Sequence, residues 1–222
     1  MKGLLIKDFK LLKNQKNFFI LVFVMAAFLT ITNGAGSSPA TFVLPYVGFV
    51  SSFFVLSTIS YDEYDNGNAF LFTLPFDRKI YVAEKYIFGV VTGGAGLLLI
   101  LAFILIYTDG MTGAEQTGET LFTAGVSAAL LLFFLAVMIP FQLKFGPEKG
   151  RIAMLIVLLG VMALVFGIVK LTDLDNAALQ EAVRAMGSIG LSGVAAVCIA
   201  AAAAVMVISM FISTRILEKK EF

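Results

Sequence analysis

The sequence predicts an all-α integral membrane protein with six transmembrane helices, and three observations support this prediction. Hydrophobic residues make up 59% of the 222 residues. Six apolar stretches contain no Asp, Glu, Lys or Arg, and all but two of the 16 basic residues fall in alternate gaps between them. The predicted spans cover residues 18–32, 42–59, 87–107, 121–143, 152–169 and 189–212. Too few polar residues remain for a separate soluble domain, so residues 1–222 are expected to form a single transmembrane domain.

The segment before the first span, residues 1–17, is predicted to be an amphipathic helix that lies in the membrane interface. In a helical projection Phe9 shares one arc with the leucines, whereas Lys7 and Lys10 fall on the opposite arc. Asp8 is the exception, because it projects into the apolar arc. Two interpretations of Asp8 stay open: an ion pair with a neighbouring lysine, or a contact with a partner protein.

The predicted spans differ in length and in the connectors that join them. A helix needs roughly 20 apolar residues to cross the hydrocarbon core, so the shorter span at 18–32 must draw on flanking residues. The connector at 109–120 is rich in Gly and Thr and is predicted to be a solvated loop. The connector before the last span is predicted to hold a short helix capped by Asp175 or Asn176.

The basic residues predict the orientation of the chain, because juxtamembrane Lys and Arg are retained on the cytoplasmic side. The N-terminal segment, the connectors after the second and fourth spans, and the C-terminal tail hold all of them except Lys170 and Arg184. Both termini are therefore predicted to be cytoplasmic, in a multi-pass protein of the cell membrane. The formal net charge of +1 gives no case for nucleic-acid binding.

The longest connector on the basic side, residues 60–86, has a content that a plain linker does not need. It begins with Asp62 and Glu63, and the apolar segment that follows ends at Pro75. Proline is expected to end a short helix there, because the residue before proline avoids the α region. An apolar edge of that helix is formed by Phe70, Leu71 and Leu74. This edge either rests on the membrane surface or contacts another protein.

Residue types that the chain lacks exclude several functions. It has no histidine, so the stretch Gly190-Leu191-Ser192-Gly193 has no imidazole to activate its serine. Close helix packing is the expected role of these small residues, and no metal site is predicted. The uncharged spans argue against an ion-coupled carrier, and no phosphate-binding loop for ATP is present. Energy for uphill transport would therefore have to come from another protein.

A family pattern runs through the connector at 60–86. Its elements follow one another in the order Glu63 and Gly67, Leu74 and Pro75, Arg78, then Lys85. In this order, and in the six spans that follow an amphipathic helix, the chain resembles the membrane subunits of ABC-2 type ATP-binding-cassette exporters. Its opening Lys-Gly-Leu-Leu-Ile-Lys-Asp-Phe and its Tyr61-Asp62-Glu63-Tyr64 are most similar to the small permeases of phenol-soluble-modulin exporters of Gram-positive bacteria.

The resemblance implies that the segment 62–74 is a coupling helix seated in a groove of a separate ATP-binding subunit. That subunit would hold ATP and magnesium, and this chain would bind no cofactor and carry no catalytic residue. Phe70, Leu71 and Leu74 are expected to supply the buried contact, while Glu63 and Arg78 fix its orientation. The full set expected at this interface is Asp62, Glu63, Tyr64, Gly67, Phe70, Leu71, Leu74, Pro75 and Arg78.

The resemblance also implies partners for the rest of the chain. In the interfacial helix, the candidate site residues are Asp8, Phe9 and Lys10. One six-span chain is expected to be too small to enclose a transport path, which favours a second permease copy in a homodimer or a heterodimer with a related permease. Amphipathic peptides are the implied cargo.

Three interpretations of the function stay open at this point. The chain is an exporter permease that needs an ATPase partner, an ATP-independent channel or a scaffold or immunity protein, or a membrane enzyme. An enzyme would need polar residues that converge within the spans, and the spans offer hydroxyls but no acid, base or metal ligand. Dependence on an ATPase separates the first two interpretations.

Overall fold

The computed structural model describes residues 2–33, 40–64, 67–74, 76–109, 114–172 and 190–220, with side chains except at 33, 108–109, 114–116 and most of 147–172. These residues are helical, apart from short connections. In chain order the helices are α1 Lys2–Asn14, α2 Lys16–Asn33, α3 Ala40–Glu63, α4 Gly67–Leu71, α5 Arg78–Asp109, α6 Ala114–Thr172 and α7 Gly190–Lys219.

Four helices among the described residues are long and apolar enough to cross a membrane: Ala40–Glu63, Arg78–Tyr107, Thr117–Gly146 and Gly190–Lys219. They contain the predicted spans 42–59, 87–107 and 121–143 and nearly all of 189–212. The prediction of an all-helical protein with several membrane spans is therefore confirmed.

The first predicted span belongs to a bent pair of helices. α1 and the segment Lys16–Thr32 of α2 meet at an angle of 64° and together also satisfy the length and composition of a span. The predicted fifth span, 152–169, has a helical backbone, but nearly all of its side chains lie outside the described residues. A total of six spans therefore stays a prediction.

The predicted connectors between spans have different outcomes. The expected loop at 109–120 is wrong over most of its length, because α5 continues to Asp109 and α6 already begins at Ala114. Glu119 accepts a hydrogen bond from the hydroxyl of Thr123 one turn later, 2.8 Å away, as helix spacing requires. The short helix expected near Asp175 lies outside the described residues.

α3 is the central helix of the bundle. In its most apolar stretch of 18 residues, 61% of the residues are buried, against 17% in the corresponding stretch of α7. Val43, Leu44 and Ile59 on α3 are completely buried, in a core shared with α5 and α6. This arrangement leaves α7 packed on α6 along one side and largely open along the other.

Polar side chains join α5 to α7 within this apolar bundle. The hydroxyl oxygen of Tyr86 lies 2.7 Å from that of Ser209 and 2.9 Å from that of Ser213. All three residues are buried, so the pairing satisfies hydroxyls that would otherwise be desolvated without partners. This contact fixes the last turns of α7 against the first turns of α5.

α6 bends at Gly146, where the backbone has φ 76° and ψ 180°. A positive φ disfavours residues with a Cβ, and the following Pro147 requires an extended ψ in the residue before it. A Cβ on Gly146 would also lie 3.6 Å from Oε2 of Glu63. The Gly-Pro pair thus ends the first half of α6 beside the end of α3.

Candidate functional site

A buried group of charges lies at one end of the bundle, where α1, the end of α3 and the start of α5 meet. We call this the charged end. Lys85 is at its centre and has a completely buried side chain. Its Nζ lies 2.5 Å from Oδ2 of Asp8, 2.8 Å from Oδ2 of Asp62 and 3.3 Å from the hydroxyl of Thr58. One lysine on α5 therefore binds both α1 and α3.

Asp62 accepts two further hydrogen bonds at the end of α3. The hydroxyl of Tyr81 donates to Oδ2 over 3.1 Å, and the ammonium of Lys7 donates to Oδ1. Nζ of Lys7 also lies 3.3 Å from Oδ1 of Asp8. The ion pair of Asp8 with a neighbouring lysine, one of the two interpretations left open for Asp8, is therefore confirmed, and the Lys7 side chain keeps 32% of its exposure.

Glu84 adds a third carboxylate to this group. The residue is completely buried, and neither of its carboxylate oxygens has a hydrogen-bond partner among the described residues. Its Oε2 lies 3.7 Å from Nζ of Lys85, which is beyond hydrogen-bonding distance. We refer to Lys7, Asp8, Asp62, Glu84 and Lys85 together as the ion cluster.

The ion cluster is costly to bury and is therefore sensitive to change. Taking charges out of water costs several kcal/mol per ion, and close opposite charges with additional hydrogen bonds repay that cost. Lys7 and Lys85 balance Asp8 and Asp62 in this way, so removal of one partner leaves a buried charge without compensation. The cluster consequently holds α1, α3 and α5 in one relative position.

A second set of polar contacts fixes the end of α7 at the same place. Lys220 donates to Oε1 of Glu63 over 2.8 Å and to the carbonyl of Leu143 over 3.1 Å. One guanidinium nitrogen of Arg78 donates to three carbonyls, of Leu217, Glu218 and Lys220, at 2.7, 2.9 and 3.0 Å. The last carbonyls of a helix have no amide donors within it. At the end of α7, the guanidinium of Arg78 donates to these carbonyls instead.

These contacts join Glu63 and Arg78 to α7 of the same chain, and their expected role at the interface with an ATP-binding subunit stays a prediction. Both were expected to orient a helix in the groove of a partner protein. The Glu63 side chain keeps only 7% of its exposure and pairs within the chain, while Arg78 caps α7 and lies 5.5 Å above the ring of Phe72. Within this chain, Glu63 and Arg78 bind the end of α7 to the two ends of the connector.

The connector itself contains the short helix α4, which has 5 residues. The helix was predicted to end before Pro75, but it ends at Leu71, and Pro75 lies outside the described residues. The hydroxyl of Thr73 bonds the carbonyl of Phe70 at 2.7 Å, and the amides of Thr73 and Leu74 bond carbonyls three residues back. This tighter turn replaces the α-helix.

Gly67 begins α4 directly against the end of α3. A Cβ at this position would lie 2.8 Å from the carbonyl oxygen of Asp62, closer than such atoms approach each other. Glycine is therefore required for the close approach of α4 to Asp62, a member of the ion cluster. Asn68 beside it is buried.

The apolar edge predicted for this connector is divided between the interior and the surface. Leu71 packs partly against the core, whereas Phe70 is 72% exposed and Leu74 is 44% exposed. Tyr64, between α3 and α4, is 79% exposed. We call Tyr64, Phe70 and Leu74 the exposed edge. It lies on the connector that contacts the ion cluster through Gly67 and Asp62 and the α7 contacts through Phe72 and Arg78.

The three candidate residues of the first helix lie in different environments. Asp8 is completely buried, so its carboxylate binds lysines of this chain and offers no surface to a partner protein. The ring of Phe9 packs edge-on against that of Phe88, with centroids 5.3 Å apart. Lys10 is exposed. Asp8 and Phe9 therefore attach α1 to α5.

Sequence reasoning missed most members of this site. Glu84, Tyr81 and Lys220 were not predicted to take part, Lys7 was covered only as a neighbouring lysine of Asp8, and Lys85 was named only as a basic residue and an element of the family pattern. The one available signal was Asp8, a carboxylate on an apolar arc, which must find a cation when that arc is buried.

The fold defines a polytopic, all-helical membrane protein with a group of buried charges at one end of its bundle. Residues 3–218 match the family described as ABC-2 family transporter protein. The chain belongs to this family, whose members are membrane transport components that typically work with an ATP-binding subunit. Neither the curated proteins nor the solved structures include a match to the chain.

Proposed function

We propose that this protein is the membrane subunit of an ATP-driven exporter and that its exposed edge docks on a separate ATP-binding subunit. The observation that carries the proposal is the contrast between Phe70, which is 72% exposed, and the buried ion cluster behind it. An exposed aromatic edge on a firmly held support suits transmission of force to the spans.

A chain of direct contacts connects the exposed edge to the ion cluster. Asp62 binds Lys85 at 2.8 Å and lies against Gly67, where α4 begins. A displacement of α4 therefore acts directly on the end of α3, and through Lys85 on α1 and α5. In the proposed mechanism, ATP-driven closure of two ATP-binding subunits moves these helices as one group. ATP and magnesium belong to the partner subunits.

The orientation and assembly of the complex follow from the same proposal. The charged end faces the cytoplasm, as the distribution of basic residues indicates, and both termini lie there. A second permease copy, identical or related, completes the transport path. Amphipathic peptides are the proposed cargo, on the basis of the resemblance of the opening segment and of Tyr61-Asp62-Glu63-Tyr64 to exporters of such peptides.

The proposal is tested by co-expressing the full chain with candidate ATP-binding subunits and purifying the complex into nanodiscs. We expect co-elution of the two proteins and an ATPase rate that rises when an amphipathic peptide is added. The double variant Phe70→Ala/Leu74→Ala should weaken co-elution and remove this stimulation, while basal hydrolysis by the partner remains.

A matched control separates docking from a general loss of exposed apolar area. Leu98 and Ile106 on α5 are 68% and 79% exposed and lie toward the far end of that helix, so Leu98→Ala/Ile106→Ala should leave co-elution unchanged. Equal co-elution and stimulation for the parent and the Phe70→Ala/Leu74→Ala variant would refute the docking surface. A chain that elutes alone with every candidate subunit would favour the ATP-independent channel or scaffold.

A further inference from the structure

A groove runs along the last turns of α7 and reaches the first turn of α5. Its volume is about 430 Å³. All but one of its lining residues are on α7, and the other is Lys79 of α5. The lining residues are Lys79, Val207, Met210, Phe211, Thr214, Arg215 and Glu218.

The lining of this groove changes chemically along its length. The α7 residues recur at intervals of three and four positions, so they share one face of the helix, and 11 steps at 1.5 Å give a length of roughly 16 Å. The end within the bilayer is apolar, with Val207 52% exposed and Phe211 69% exposed. Toward the charged end of the bundle the lining continues with the hydroxyl of Thr214. It finishes there with the charged groups of Lys79, Arg215 and Glu218.

Two cations and one carboxylate lie at this last position. Nζ of Lys79 is 3.8 Å from Oε1 of Glu218, in a pair with exposures of 72% and 47%. Such exposed pairs bind weakly. Arg215 is exposed and has no carboxylate within ion-pair distance among the described residues. The mouth of the groove therefore carries an excess of positive charge beside an apolar channel.

We propose that this groove binds an anionic phospholipid. One acyl chain lies against Val207, Met210 and Phe211, the ester region reaches Thr214, and the phosphate lies between Lys79 and Arg215. A second copy of this chain suits the groove less well. In a two-fold symmetric contact over this face, Lys79 and Arg215 of one copy would lie near the same basic residues of the other copy, and their charges would repel. The lipid supplies the missing negative charge and covers apolar surface at once.

The absence of tryptophan from the chain allows a direct test. The variant Phe211→Trp places a single tryptophan, which can be excited apart from the tyrosines, in the groove of the full-length protein, and the exposed position accommodates the larger ring. In nanodiscs of unlabelled phosphatidylcholine, increasing fractions of brominated phosphatidylglycerol or brominated phosphatidylcholine are added, and quenching is measured. We expect a preference for phosphatidylglycerol of about fivefold, as one basic residue near the surface supplies.

Two control variants locate this preference. In the Phe211→Trp background, the tryptophan of Lys79→Gln/Arg215→Gln should be quenched equally by both lipids. The control Lys13→Gln/Lys144→Gln removes two exposed lysines outside the groove and should keep the preference. A reporter at Phe28→Trp, on exposed α2 surface, should be quenched equally by both lipids.

Three results would overturn the proposal. Equal quenching of the Phe211→Trp parent by the two lipids would show that no selective site exists. A preference that millimolar inorganic phosphate abolishes at constant ionic strength would assign the cations to soluble phosphate. A reporter quenched by neither lipid would mean that protein, such as a second copy of this chain, covers the groove.

Discussion

Lys85 and Asp8 are 77 positions apart in the chain, yet their charged atoms lie 2.5 Å apart in the interior. Both side chains are completely buried, so neither charge is screened by water. This pair fixes the first helix to the start of α5, and because Lys85 also binds Asp62, it fixes both to the end of α3. The position of the connector in the proposed mechanism depends on this contact.

Replacement of Lys85 by methionine is expected to destabilise the bundle strongly. Asp8 and Asp62 would lose their shared cation, and breaking a buried pair by removal of one partner costs about 3–5 kcal/mol. Thermal loss of helical circular dichroism in detergent measures the effect, with Lys79→Met as the control, since that lysine is 72% exposed.

The pairing itself is tested by a second substitution. Asp8→Asn in the Lys85→Met background removes one of the abandoned charges, so the double variant should be more stable than Lys85→Met alone. If the loss of unfolding temperature in the double variant, relative to the parent, equals the sum of the losses in the two single variants, Asp8 and Lys85 do not interact.

Glu84 should respond in the opposite direction from Asp62. No donor reaches the buried carboxylate of Glu84 within hydrogen-bonding distance among the described residues, and the Asp8 carboxylate lies beside it, so Glu84→Leu removes an unsatisfied acid and should raise the free energy of unfolding by about 1–3 kcal/mol. Asp62→Leu removes the partner of Lys85 and Tyr81 and should lower it. Equal destabilisation by the two variants, measured by thermal unfolding, would show that Glu84 has an essential partner.

The sequence predicted those features of the structure that depend on residues close together in the chain. Spans such as 87–107 are recognised because hydropathy is a property of contiguous residues. The contact of Lys7 with Asp62 joins residues 55 positions apart, and no local pattern states which helices will be neighbours. Asp8 was visible as an anomaly on an apolar arc, but its partner Lys85 could be assigned only once α1 was placed against α5.

The same limit applies within the connector. Phe70 and Leu71 are adjacent and equally apolar, and helical periodicity assigned them to one edge. Leu71 packs against the core and Phe70 does not, because the start of α4 is set by the contact of Gly67 with the carbonyl of Asp62. That contact depends on tertiary structure.

Gly67→Ala is expected to displace α4 from the end of α3. The added Cβ would lie 2.8 Å from a backbone oxygen, which cannot move aside as a flexible side chain can, and the overpacking should cost about 1–3 kcal/mol. Thermal unfolding reports the loss, and co-elution with the ATP-binding subunit reports the displaced edge. Gly94→Ala is the control, because a Cβ there meets nothing within 4 Å. Unchanged unfolding and co-elution for Gly67→Ala would contradict the close approach.

Arg78→Lys should loosen the end of α7 although the charge is kept. A guanidinium presents several N–H groups in a fixed plane, whereas an ammonium on a flexible stem does not reproduce that geometry. The carbonyls of Leu217, Glu218 and Lys220 would lose part of their capping. Hydrogen exchange of the amides near 215–220 should become faster, while exchange near 43–47 in α3 stays slow. Identical exchange at 215–220 in both proteins would rule out the capping role.

Gly146→Ala tests the bend of α6 through backbone conformation alone. Gly146 has φ 76° and ψ 180°, a region that essentially only glycine adopts, so alanine there costs about 1–3 kcal/mol; its Cβ would lie 3.6 Å from Oε2 of Glu63, an ordinary contact distance. In an ordinary helical position the same substitution should be neutral or stabilising, because glycine loses more entropy on folding. Gly118, which lies within α6 and whose Cβ would meet nothing within 4 Å, provides that comparison. We therefore expect Gly146→Ala to lower the unfolding temperature and Gly118→Ala to leave it unchanged or raise it. The same direction of change in both variants would mean that Gly146 adopts ordinary helical geometry and that α6 does not bend there.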